Sequence, residues 1–275
     1  TDEPDAPGRT RREYCYNILV SGLDDDNGGS DTNILVRFDV PNKRIDLVSL
    51  PRDTLLHNEY RNNKLNFAYA KGGTELLMEQ IENLLGIPVD FYVTVNLKGF
   101  IALVDQIDGV DFDIPINMDY DDPYQDLHIH FTKGPRHLNG QEAMEVVRFR
   151  HNNDGTGYGT EDIGRIGTQQ AFLKAVAKQL LQIGNVKNIP ALVDIFYTYV
   201  KTDLTTGNLV WLGNEALNIG TENIHFATLP GDGSGYYKKQ SVYVLDAQAT
   251  CDLVNEALNP YNEALTLEDM DILVP

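Results

Sequence analysis

A few carboxylates and arginines carry most of the chemistry this sequence could perform. The loop Gly22-Leu23-Asp24-Asp25-Asp26-Asn27-Gly28-Gly29-Ser30-Asp31-Thr32 is dense in carboxylate, amide and hydroxyl oxygens, hard donors that suit Mg²⁺ or Ca²⁺ rather than zinc. It is not an EF-hand, because Gly28 and Leu35 stand where that loop needs its third carboxyl ligand and its bidentate Glu. The same residue types form ordinary solvated turns, so the neighbours must decide between the two readings.

The second group lies farther along. Arg148 and Arg150 stand two apart in Glu145–Arg150, which reads as a strand. Both side chains then point to one face, where two guanidiniums repel unless an anion lies between them. A Gly-rich loop, Asp154 to Thr160, follows. It lacks the strand-turn spacing and ribose acid of a dinucleotide fingerprint and reads as a mobile flap. On the next helix Asp162, Arg165 and Gln169 fall at i, i+3 and i+7, one stripe. Arginine forks bind phosphate oxygens in pairs, and a helix N-terminus adds N–H donors to the same anion. The group reads as a phosphate clamp, with surface ion pairs as the plain alternative.

Other features carry less. His128 and His130 project from one strand face, but no third ligand sits nearby at a helical or strand spacing, so they read as surface histidines rather than a zinc site. Asp119-Tyr120-Asp121-Asp122-Pro123 reads as an acidic turn between strands. No Gly-x-Ser-x-Gly elbow and no P-loop Gly-Lys-Ser/Thr is present, which argues against a serine hydrolase and a nucleotide triphosphatase.

The elements that must position these residues alternate along the chain. Strands are expected at Tyr16–Val20, Ile34–Val40, Arg44–Leu50, Phe91–Val95, Val110–Ile114, Leu127–Phe131, Glu145–Arg150 and Ile224–Leu229. Helices are expected at Thr74–Leu85, closed by Gly86, and at Leu97–Ile107, Ile163–Ile183, Ile189–Val200, Thr206–Leu217 and Asp246–Leu258. The alternation predicts an α/β fold: one three-layer α-β-α domain over residues 14–275, with a mixed central sheet and helices on both faces. A polar segment, residues 1–13, precedes it. The Pro41-Asn42-Lys43 turn sends the third strand back antiparallel, so Asp31 and Arg52 share one end of a hairpin. If the first strand runs parallel to the third, Asp24 arrives at that end too, where open α/β sheets place their ligands.

Composition sets the outer limits. The 275 residues carry 22 Lys+Arg against 41 Asp+Glu, a formal charge of -19, and 42% are hydrophobic. That is an ordinary globular composition, and its polyanionic surface disfavours nucleic acid as a partner. No apolar run of about 18 residues is present to span a bilayer. Thr1–Arg12 lacks the apolar stretch of a signal peptide, so an upstream segment is expected to have been cut away. Cys15 and Cys251 are too few and too far apart for a disulfide framework or a zinc site and read as separate thiols, with a single bridge between them as the alternative that an oxidising compartment would permit.

Taken together in order, these residues resemble the LytR-CpsA-Psr family of bacterial cell-wall phosphotransferases. The resemblance rests on Asn17 to Asp24 with Ser30-Asp31-Thr32, Leu47 to Thr54, Lys64 to Tyr69, Gly86 to Tyr92, Gly99-Phe100 through Val110, Met118 to Asp121, Gly134 to Gly140, Val147 to His151 and Asp162 to Gln170. The collinear match covers about Asn17 to Leu181, with a weaker echo at Leu229-Pro230-Gly231. It implies an extracytoplasmic enzyme, tethered by an N-terminal membrane helix missing from this chain. Such an enzyme moves a glycopolymer, such as a teichoic acid or capsular polysaccharide, from a polyprenyl diphosphate carrier to a peptidoglycan hydroxyl and releases polyprenyl phosphate. Pyrophosphatase side activity is a further expectation. By that resemblance Asp24 and Asp31 position Mg²⁺, while Arg52, Arg148, Arg150, Arg165 and Gln169 hold the diphosphate. Asp31 and Asp162 are the carboxylates available to take the proton of the attacking hydroxyl. The alternative is a non-catalytic protein that binds the lipid-linked glycan or regulates the cell envelope. Two departures stand out. Members usually carry an arginine where this chain has Gly28-Gly29 and another at the place of Thr168, which removes two cationic contacts.

Overall fold

Leu19, Leu35 and Val48 are buried on one face of a sheet, and Phe38 and Ile45 on the other. Strands apolar on both faces require cover on both sides, and the computed structural model supplies it. The structure describes residues 8–23, 28–124, 127–158, 161–182 and 197–275. Contacts within it gather into two units, Thr1–Val95 with Lys201–Pro275, and Asn96–Val200.

The first unit holds a six-stranded sheet in the order β10-β3-β2-β1-β4-β9. Its strands are β1 (Cys15–Leu23), β2 (Ser30–Asp39), β3 (Arg44–Leu50), β4 (Phe91–Val95), β9 (Val200–Thr202) and β10 (Ile224–Thr228). β2 runs antiparallel to β1 and β3, whereas β1 with β4 and β3 with β10 are parallel. The sheet is therefore mixed, as expected, and β1 lies parallel to β3. Helix α1 (Leu65–Leu85) and helix α6 (Ala247–Ala257) bury Leu77, Ile81, Leu84, Val254 and Ala257 against one face. Each such buried Leu, Ile or Val side chain contributes roughly 1.5–3 kcal/mol. Helix α5 (Thr206–Ile219) covers the other face through Leu212, Ala216 and Ile219. A separate ribbon pairs β11 (Gly231–Tyr237) with β12 (Gln240–Leu245).

Helix α1 begins before the expected Thr74. Gly72 and Gly73 leave helical geometry at its middle, with Gly73 at φ +68°, so the chain forms a short first segment, kinks and resumes. Gly86 ends it at φ +67°, its N–H donating to the Glu82 carbonyl at 2.8 Å. A Cβ at Gly86 would sit 2.3 Å from the Asp269 carbonyl oxygen, so this close approach requires glycine. Across β2 and β3 the register sets Arg37 opposite Asp46, and the two form a nearly fully buried ion pair at 2.7 Å. Arg44 reaches the same carboxylate at 2.7 Å.

The second unit has a core of its own. Helices α2 (Leu97–Gln106), α3 (Gly140–Arg148) and α4 (Glu161–Gln182) accompany two antiparallel ribbons. One ribbon pairs β5 (Val110–Ile114) with β8 (Gly134–Leu138), the other β6 (Met118–Asp122) with β7 (Leu127–Phe131). Val110, Ile114, Ile129, Leu138, Phe149 and Phe172 are buried together.

Two expectations fail here. Glu145–Arg150 is not a strand, because residues up to Arg148 belong to α3. The Val-Val-Arg-Phe pattern favours a strand, but Asn139 and Glu142 form a reciprocal capping box and Ala143, Met144 and Val146 are buried at helical spacing. Local capping and tertiary burial override propensity. Likewise Asp119–Pro123 is mostly strand β6, not a turn: Met118 is buried and each β6 residue pairs with one in β7. The expected helix at Ile189–Val200 falls largely outside the described residues, and its last residue, Val200, begins β9.

Candidate functional site

The β2–β3 ladder pairs Asn33 with Leu50, and continuing that register by two residues sets Asp31 opposite Arg52. Their side chains meet as the hairpin geometry predicts: Arg52 Nη1 donates to Asp31 Oδ1 at 2.5 Å. Both are part exposed, at 28% and 32%, so the pair is open to a ligand.

The backbone around Arg52 is fastened on three sides. The Thr54 N–H and hydroxyl donate to the Pro51 carbonyl at 3.0 and 2.6 Å, closing a turn around Arg52 and Asp53. The Asn66 N–H, in the first turn of α1, donates to the Arg52 carbonyl at 2.9 Å, and the Tyr243 N–H of β12 donates to the Asp53 carbonyl at 2.8 Å. A guanidinium carried on so constrained a turn loses little freedom when it binds.

Two residues that sequence reasoning did not assign a role complete this cluster. Asp53 Oδ1 lies 3.7 Å from Arg52 Nε and 3.2 Å from Lys64 Nζ. Both lie within the stretches that carry the family resemblance, and that position was the one available signal. Arg52 and Lys64 balance Asp31 and Asp53, so the four side chains are close to neutral as a group. Beside Asp31, Ser30 is fully buried and its Oγ has no hydrogen-bond partner among the described residues. A buried hydroxyl left in that state costs about 1–3 kcal/mol. Nearby, the Ser21 hydroxyl donates to Asn33 Oδ1 at 3.0 Å. Asp24, expected at the same end, lies outside the described residues.

The other predicted anion ligands belong to the second unit. Arg148 is the last residue of α3 and Arg150 follows the buried, extended Phe149. They are therefore not two neighbours on one strand face. Arg148 is part exposed and Arg150 exposed. The Gln169 amide donates to the Val147 carbonyl at 3.3 Å, tying α4 to the last turn of α3. Asp162 and Arg165 sit in the first turns of α4, and their side chains lie outside the description. Thr168, where the family usually has arginine, is buried and its hydroxyl donates to the Gly164 carbonyl at 3.1 Å. A Cβ on Gly164 would lie 2.2 Å from Tyr158 Cβ, so glycine permits this close approach of Tyr158 to α4. Over residues 152–156 the Gly-rich loop is held by its own hydrogen bonds and by Asn152 and Asn153 on the β6 backbone, at 2.7 and 2.6 Å.

Cys15 and Cys251 are both buried and unbridged, as the sequence indicated, and burial pushes both thiols up from their ordinary range. No helix among the described residues is long and apolar enough to cross a membrane.

Comparison with known proteins decides the family, since the LytR_cpsA_psr family profile matches residues 6–259. This chain belongs to the LytR_cpsA_psr family. Within the family it is 34% identical over 199 residues to the polyisoprenyl-teichoic acid–peptidoglycan teichoic acid transferase TagV of Bacillus subtilis, covering 69% of this chain and 50% of that protein. It is 32% identical over 244 residues to the transferase TagU of Bacillus cereus, covering 87% of this chain and 76% of that protein. The crystal structure of B. subtilis TagV superposes with a TM-score of 0.75 at 26% identity, over 96% of this chain and all of that one. The matched stretch thus spans half of the TagV sequence and about three quarters of the TagU sequence. The LytR_cpsA_psr fold agrees with the mixed sheet and flanking helices described above.

Proposed function

We propose that this protein transfers a glycopolymer from a polyprenyl diphosphate carrier to a hydroxyl of peptidoglycan, at the extracytoplasmic face of the cell membrane. Membership of the LytR_cpsA_psr family and its transferase relatives supports the reading. The observation that carries it at the level of residues is the Asp31–Arg52 pair on its fastened turn.

The chemistry follows from charge. The acceptor oxygen attacks the phosphorus that bears the glycopolymer, the bond from that phosphorus to the bridging oxygen breaks, and polyprenyl phosphate leaves with the electron pair. Phosphoryl transfer depends on neutralisation and positioning more than on covalent help. Arg52 presents a fork that matches two phosphate oxygens, and here it is balanced by Asp31. An incoming diphosphate takes the guanidinium from Asp31, and the released carboxylate becomes available to a cation or a proton. Lys64 and Asp53 keep the remainder of the cluster neutral during the exchange.

The donor chemistry fits Mg²⁺. Asp31 offers hard carboxylate oxygen, the donor type that Mg²⁺ prefers, on a side chain that is part exposed. Asp31, with Asp24, would hold the ion, and bound Mg²⁺ would supply charge neutralisation to the phosphate oxygens. Arg148, Arg150, Arg165 and Gln169 of the second unit are assigned to anion binding on the family resemblance alone, as Asp31 or Asp162 is to acceptance of the hydroxyl proton.

The test is incubation of the protein with Mg²⁺, a polyprenyl-diphosphate-linked glycopolymer and peptidoglycan. The expected result is glycopolymer covalently attached to peptidoglycan with an equal amount of polyprenyl phosphate released. Absence of both products across a series of divalent cations would refute the proposal.

A further inference from the structure

The β6–β7 ribbon carries a cluster that the proposed transfer does not use. Its register pairs Asp119 with His130 and Asp121 with His128. Met118, Leu127, Ile129 and Phe131 are buried in the unit's core, so alternation fixes Asp119, Asp121, His128 and His130 on the outward face. A slip of one residue in β7 would expose Leu127, Ile129 and Phe131, so this polar arrangement is held by the hydrophobic pattern.

The sequence alone offered His128 and His130 without a third ligand, because their partners lie across the ribbon. In the structure Asp121, His128 and His130 each present a ligand atom within 4.8 Å of the others. His128 Nδ1 is hydrogen-bonded to Asp121 Oδ1. His130 Nε2 lies 3.3 Å from the same Asp121 oxygen, and its Nδ1 is bonded to Asp119 at 2.8 Å.

From these distances we infer that the outward face of the β6–β7 ribbon is a binding site for a borderline divalent cation, Zn²⁺ foremost, with His128, His130 and Asp121 as ligands. Bonds of about 2.0–2.1 Å in a tetrahedral zinc site put neighbouring donor atoms about 3.3–3.4 Å apart, and the separation of His130 Nε2 from Asp121 already has that value. Asp119 holds the other ring nitrogen of His130. That bond fixes the tautomer that leaves Nε2 free to coordinate, as carboxylates behind metal-bound histidines do. Imidazole donors select Zn²⁺ over Mg²⁺, which prefers oxygen. Two neutral imidazoles and two carboxylates carry the charge that one Zn²⁺ cancels, and water completes the exposed side. The ion clips β7 to β6.

Calorimetric titration of the folded protein with Zn²⁺, in excess Mg²⁺ so that any hard-cation site is already filled, tests the site. One equivalent of Zn²⁺ should bind. Affinity should fall at least tenfold in His128→Ala with His130→Ala, and by about tenfold or more in Asp119→Asn. His137→Ala, which alters an exposed histidine on the other ribbon, should bind as wild type does. Circular dichroism confirms that each variant is folded. Absence of saturable Zn²⁺ binding below about 1 mM, or equal affinity in the double variant, would overturn the inference.

Discussion

Arg52 and Asp31 neutralise one another at one end of the β2–β3 hairpin, two residues beyond the last paired positions of the ladder. On the proposed function, the pair sets a fork suited to phosphate beside a carboxylate suited to a cation, each held by the other until a ligand separates them. Arg52→Ala should therefore lower turnover of the polyprenyl-diphosphate substrate by about 10²–10³-fold, the usual loss for one charge-stabilising donor. Arg52→Lys should recover part of it, because the charge returns without the fork. Asp31→Asn should raise the Mg²⁺ concentration needed for half-maximal rate. Initial rates over a Mg²⁺ series, with melting temperatures as a folding control, check all three variants.

Gly164→Ala should disturb α4 through one atom. The added methyl would lie 2.2 Å from Tyr158 Cβ, and Tyr158 packs edge-on against Phe149 at 5.6 Å between ring centroids. Overpacking of this kind costs about 1–3 kcal/mol. Urea denaturation should show a loss in that range, and turnover should fall because α4 carries Arg165 and Gln169.

The buried Asp46 should be among the most sensitive positions for stability. Arg37 and Arg44 both pair with it at 2.7 Å, and Arg37 is 4% exposed. Asp46→Ala leaves the Arg37 charge buried without its partner, which costs about 3–5 kcal/mol. Denaturant unfolding of the variant measures the loss.

His137 should report pH. Its hydrogen bond to Asp111, at 2.8 Å across the β5–β8 ribbon, holds the imidazole above its ordinary value. A raised folded value means that the pair stabilises the fold below pH of about 6.5. The contribution is lost as pH rises through the folded value. An NMR titration should place His137 above a free imidazole, and Asp111→Asn should return it toward about 6.5.

Several strands, in the sheet and in the ribbons, are legible in the sequence. Arg44–Leu50, Phe91–Val95, Val110–Ile114 and Leu127–Phe131 were bounded to the residue, since apolar and β-branched residues dominate them and turn formers flank them. β8 was not, because Gly134-Pro135-Arg136-His137 shows no apolar pattern and only Leu138 is buried. It is a strand because β5 pairs with it. Gly231–Tyr237 likewise owes its strand to pairing with β12 rather than to its glycine-rich sequence. α3 was misread because Asn139 and Glu142 lie outside the Val-Val-Arg-Phe window that suggested a strand.

The site was legible to the same degree. Asp31 opposite Arg52 follows from counting residues on either side of the Pro41-Asn42-Lys43 turn. Lys64 beside Asp53 does not, since α1 approaches the Pro51–Thr54 turn only through tertiary hydrogen bonds. For the same reason the histidine pair on β7 had no visible third ligand until β6 brought Asp121 across.

A crystal structure of the protein with Mg²⁺ and a polyprenyl diphosphate tests the central claim most directly. The account predicts phosphate oxygens within hydrogen-bonding distance of the Arg52 guanidinium, with Asp31 turned from it and contacting the metal. Diphosphate density remote from Arg52, with the Asp31–Arg52 bond intact, would contradict it.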